Sequence, residues 1–140
     1  MHGRVFYLRE VRFGFEEERF CVRVDVFPEA LSEIENPEFR ITIGGAQEVV
    51  VVVKLARGHV EEFSVEHDGV CLLNPKDVAD IAFERTLEIA INREAVCPKD
   101  CRKLSLDVAL WHYGLPVDVL PASGVLEILL GEENFAWPSK

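Results

Sequence analysis

Apolar and polar residues alternate along most of this chain in segments of 6 to 11 residues, the period of strands with one buried face. Residues 5–15 form the first segment. Residues 19–27 form the second, with Phe20, Val22, Val24 and Val26 on one face and Cys21, Arg23, Asp25 and Phe27 on the other. The link Glu16-Glu17-Glu18 is short, which predicts a hairpin. "PEALSEIENPEF" (28–39) has Pro28 at a helix start and Pro37 after it, leaving room for one helical turn at most. A connection of that length suits a crossover between sheets.

Residues 39–43 are a third strand, stopped by Gly44-Gly45. The five valines at 49–53 are apolar on both faces, so that strand is either sandwiched or part of a contact surface. Val60, Phe63 and Val65 lie on a return strand that ends at "HDG" (67–69). In 72–94, Ile81, Phe83, Leu87, Ile89 and Ile91 alternate, and Arg85 breaks the pattern. Helical spacing fits part of this stretch, but "LEIAIN" favours strand. Leu104, Leu106, Val108 and Leu110 alternate strictly with Ser105, Asp107, Ala109 and Trp111. "YGLP" (113–116) holds a turn, 117–120 pairs back, and 125–130 is the last strand. The tail "GEENFAWPSK" is expected to dock through Phe135 and Trp137. Roughly nine short strands and very little helix predict an all-β fold, an antiparallel β-sandwich. No linker or repeat divides it. One domain spans 1–140, free-standing or cut from a longer chain.

A length of 140 residues is enough for one core, and the formal net charge is -10. That charge disfavours nucleic acid and anionic membrane surfaces as partners. No run of about 18 apolar residues is present. "MHGRVFYLREVRF" lacks the order of a signal peptide, and the cytoplasm is the expected location. Cys21 and Cys71 sit in strand-like surroundings. Cys97 and Cys101 frame "CPKDC", with loop thiols, a local disulfide and a metal pair as readings in that order. No metal and no cofactor are expected.

Neither GxSxG nor HExxH nor a glycine-rich phosphate loop occurs. His2, His59, His67 and His112 are scattered, and His112 falls on the apolar side of its strand, as a packing histidine would. Glu16, Glu17, Glu18, Glu132 and Glu133 read as solvated turns. The polar faces of three strands carry Arg23 with Asp25, Glu88, and Asp107 with Trp111 and Tyr113. If those strands are neighbours, they build a charged face with two aromatic rings, the chemistry of a carbohydrate surface. Otherwise they are cross-strand ion pairs on solvent faces.

"YLREVRFGFEEERFCVRVDV" (7–26) resembles the carboxy-terminal β-sandwich of some glycoside hydrolase family 57 proteins, the α-amylase and glucanotransferase-like group. The matching pattern is Phe13-Gly14-Phe15-Glu16, a short turn, then Phe20-Cys21-Val22-Arg23-Val24-Asp25. "LEIAI" (87–91) and "LPASGVLEI" (120–128) make the second half similar to family 9 carbohydrate-binding modules and DOMON-type sandwiches. Glu16 stands where the pattern has Asp, "AINRE" replaces a Pro-Phe, and no D-x-D-x-D-G calcium loop occurs. The resemblance implies a non-catalytic accessory domain that supports a glycoside hydrolase's catalytic domain, binds α-glucan weakly, or both. Two other readings stand beside it: a protein-interaction module that forms a homodimer through the 49–53 strand, and a small enzyme with an unrecognised site.

Overall fold

The computed structural model describes residues 5–45, 47–98 and 101–130. The tail contacts expected of Phe135 and Trp137, and the turn at Glu132 and Glu133, lie outside these residues. Among the described residues, eleven strands form two antiparallel sheets. The first sheet holds β1 (Leu8–Glu16), β2 (Arg19–Val26), β7 (Ala79–Phe83) and β8 (Thr86–Asn92), in the order β1-β2-β8-β7. The second holds β3 (Glu38–Gly44), β4 (Glu48–Ala56), β5 (His59–His67), β6 (Val70–Cys71), β9 (Lys103–His112), β10 (Leu115–Leu120) and β11 (Leu126–Leu129). Its order is β10-β9-β3-β4-β5-β6, and β11 also pairs with β9.

The period-2 pattern decides which faces meet. Phe20, Val22 and Val24 of β2 and Leu87, Ile89 and Ile91 of β8 are buried against Phe39, Ile41 and Ile43 of β3 and Leu104 to Leu110 at alternate positions of β9. Burying one such aliphatic side chain contributes about 1.5–3 kcal/mol, so these rows supply most of the drive for closing the sandwich. The predicted crossover is real: the 28–37 segment carries the chain from β2 in one sheet to β3 in the other.

The two strands beyond the nine expected come from the ambiguous stretch and its flank. Residues 81–91 divide into β7 and β8 around a turn at Glu84 and Arg85, and β6 is a two-residue bridge. Arg85 breaks the alternation because it lies in that turn. Two four-residue helices, α1 (Pro28–Leu31) and α2 (Arg93–Val96), and a 3-10 turn at Pro75–Asp77 complete the elements.

The valine strand is an interior one. β4 is hydrogen-bonded to β3 on one side and β5 on the other. Val49, Val51 and Val53 face the core at 0% exposure. Val52 points outward yet is only 8% exposed, because it lies between Arg40 and Ser64 on the adjacent strands. Edge-to-edge pairing through this strand is closed, and only its outer face is open to a partner.

Among the described residues, a polar side chain of β10 occupies an inward position. Asp118 of β10 is 4% exposed. Its Oδ2 accepts the N–H groups of Tyr7 (2.7 Å) and Leu8 (2.9 Å), and its Oδ1 accepts that of Val119 (2.9 Å). The carboxylate joins the start of β1 in one sheet to β10 in the other.

Candidate functional site

Three loops meet at one end of the sandwich. The first begins at Phe27, which is extended, followed by Pro28 in the first turn of α1, where its missing N–H costs nothing. The helix buries Leu31. The Ser32 hydroxyl then donates to the Glu29 carbonyl at 2.8 Å. Asn36 adopts φ +52, and the Pro37 carbonyl accepts the Leu55 N–H at 3.0 Å, which ties this loop to β4. The second loop is the β4–β5 turn, where Arg57 (φ +57) and Gly58 (φ +79) both have positive φ, as a tight hairpin that follows strand twist requires. The third is the β7–β8 turn at Glu84 and Arg85.

These loops frame a cleft of about 690 Å³. Val26, Leu31, Leu55 and Phe83 make its floor, and Ile34 packs on the same cluster. Ser32, Glu35, Arg57, Glu84 and Arg85 stand around its mouth. The volume is in the range of small-molecule sites, and an apolar floor beneath a few polar groups is their usual chemistry. Such a surface favours an apolar body and sets its orientation through the rim.

The six residues proposed for a carbohydrate surface do not share a face. Arg23, Asp25 and Glu88 lie on the outer side of the four-stranded sheet, in the register Arg23 opposite Glu88. Asp107 and Trp111 lie on the outer side of the other sheet, across the full thickness of the core. β2 and β8 are neighbours as expected, but β9 does not join them, because the crossover at 28–37 carries the chain into the second sheet, where β9 pairs with β3.

The ion pairing also differs from the cross-strand expectation. Arg23 Nε donates to Asp25 Oδ1 at 3.3 Å, two residues along the same strand, and no ion pair joins Arg23 to Glu88 among the described residues. Trp111 has one ring face covered: the Arg40 guanidinium stands 4.1 Å from the ring centroid, while its Nε donates to Glu38 at 2.6 Å. A sugar ring stacking there displaces that arginine. Asp107 is half-buried, and burial first, then the charge of Glu48, hold its carboxyl above the usual range.

Tyr113 is the one proposed residue that reaches the end cleft's rim. It is exposed, at φ +54 in the β9–β10 turn, and its hydroxyl donates to Glu35 at 3.4 Å. Its ring stacks on His112 at 4.1 Å. Part of the packing reading of His112 stands, since its Nε2 is buried, but that atom has no hydrogen-bond partner.

The cysteines are free thiols. Cys97 is buried beside Cys101, and burial together with that contact pushes it up to about 11. Cys21 sits in a shallow depression of about 290 Å³ on the outer face of the four-stranded sheet. Burial, then the Glu16 charge, raises its thiol as well. Both shifts suppress the thiolate and so weaken these cysteines as nucleophiles. Among the described residues no group of three or more His, Cys, Asp or Glu side chains is placed to hold a metal ion.

The cleft residues were missed by sequence pattern. Leu31, Leu55 and Arg57 are not singled out there, and Phe83 reads only as an alternating strand position. The only local signal was Arg85 interrupting an otherwise regular alternation. Comparison with protein-family models, with curated proteins and with solved structures finds no match to this chain.

Proposed function

We propose that this chain is a non-catalytic binding module that takes its ligand in the end cleft. This keeps the accessory role implied by the resemblance to glycoside hydrolase family 57 sandwiches and moves the binding site away from Trp111. The observation that carries it is the cleft itself: about 690 Å³, with an aliphatic and phenyl floor beneath a charged mouth. A flat sugar surface needs open aromatic ring faces, and Arg40 stands over one face of Trp111.

The test uses the fluorescent probe 1-anilinonaphthalene-8-sulfonate with the native chain and Ser32→Trp. Ser32 is exposed at the mouth, so the indole fills the entrance without touching the core. Enhanced fluorescence with the native protein, lost in Ser32→Trp while the melting temperature holds, is expected. Equal enhancement in both proteins overturns the cleft reading. Maltoheptaose is titrated calorimetrically beside it. Binding heat that disappears in Trp111→Ala returns the site to the β9 face.

A further inference from the structure

Four arginines of the sheets have partners. Arg12 pairs with Glu10, Arg19 with Asp80, Arg23 with Asp25, and Arg40 with Glu38. Arg57 and Arg85, like Arg9 and Arg102, make no ion pair or hydrogen bond through their side chains among the described residues, but these two line the same cleft. The chain has 25 acidic residues against 15 basic ones, so unpaired arginines go against its charge balance. Glu35 and Glu84 line the same mouth, yet neither comes within ion-pair distance of either arginine. Glu35 instead accepts the Tyr113 hydroxyl.

The two arginines come from opposite sheets. Arg57 is on the β4–β5 turn and Arg85 on the β7–β8 turn, and both line the cleft above Leu31, Leu55 and Phe83. A guanidinium offers a planar fork of donors that matches a carboxylate, and it is worth most at the edge of an apolar site where water is partly excluded. Two such forks facing one apolar cavity make an amphiphilic site: an apolar body on the floor, an anionic head at the mouth. The two nearby acids set a limit on the head, because they repel a doubly charged group more than a singly charged one.

We propose that the end cleft binds a small amphiphilic carboxylate, its apolar chain against Leu31, Leu55 and Phe83 and its head group between Arg57 and Arg85. This rests on the cleft reading above and adds the charge and chemistry of the ligand to it.

Calorimetric titration of octanoate and of 1-octanol tests it, on the native chain and on the double variant Arg57→Gln, Arg85→Gln. Both positions are exposed turn residues, so the fold is expected to survive, and the melting temperature checks this. Octanoate is expected to bind about tenfold tighter than octanol, the ratio a single charge-assisted hydrogen bond supports. The double variant removes that advantage and leaves octanol affinity unchanged. Added salt weakens octanoate and not octanol. Equal affinity of the two ligands for the native chain overturns the carboxylate assignment while leaving the cleft reading intact. So does a double variant that still prefers octanoate. If neither ligand binds and the naphthalene sulfonate probe is indifferent to Ser32→Trp, the cleft reading falls and the assignment with it.

Discussion

Asp107 shows how a single position carries two readings. On an alternating strand it belongs to the polar face, where a carboxylate costs nothing. In the folded chain it lies opposite Thr42, half-buried and near Glu48, and its carboxyl is held above the usual range. A carboxyl raised in the folded state binds its proton more tightly there than in the unfolded chain. Protonation therefore favours folding, and stability is lost as pH rises from about 4 through the raised value. Asp107→Asn removes the penalty. The variant is expected to melt at a higher temperature than the native chain at neutral pH, with the gap closing near about pH 3, as thermal melts across that range would show. No melting-temperature gain at neutral pH would mean that Asp107 is not held in this state. Arg23 and Asp25 settle at the same scale: their pairing runs along β2, since residues i and i+2 of a strand share a face and need no neighbour.

At the scale of elements, the alternation in β2, β3, β8 and β9 was enough to state which side chains would be buried, and Phe20, Ile41, Leu87 and Leu106 are. β10 pairs back as expected but departs from the apolar-inward rule. Asp118 occupies an inward position where a hydrophobic residue is the rule, and it is kept there by three backbone N–H groups. Two of those donors belong to the start of β1, so the carboxylate is a clasp between sheets. Replacing it with alanine leaves buried donors unsatisfied, each such group costing about 1–3 kcal/mol. Asp118→Ala is expected to lower the urea midpoint by a stability loss of at least about 1 kcal/mol, with the slope of the transition unchanged. A midpoint equal to that of the native chain would show that the clasp contributes nothing.

The whole molecule is assembled from distant pairings. β2 meets β8 with Arg19 opposite Asn92, and β3 meets β9 with Glu38 opposite Trp111. Neither pair can form before long loops close, and closing them costs entropy before any hydrogen bond returns it. Stopped-flow refolding is expected to give a main phase in the millisecond-to-second range characteristic of such topologies. A microsecond main phase would contradict it. The same non-locality explains why the cleft escaped the sequence. Its walls come from 28–37, 57–58 and 83–85, three loops separated by 20 or more residues and brought together only when the sheets stack.

By itself the sequence determined the fold class, the hairpin of β1 and β2, the crossover at 28–37 and the alternating core positions of β2, β8 and β9. Each of these follows from local rules: side chains alternate with period 2, prolines limit helix, and glycines mark turns. Tertiary structure alone decided which polar faces would be neighbours. It placed Arg23 and Trp111 on opposite sides of the molecule, turned Asp118 inward as a clasp, and set Arg57 and Arg85 over one apolar cleft. Strand periodicity fixes the face on which a side chain lies, whereas the order of strands within the sheets fixes what that face meets, and strand order depends on pairings between residues far apart in the chain.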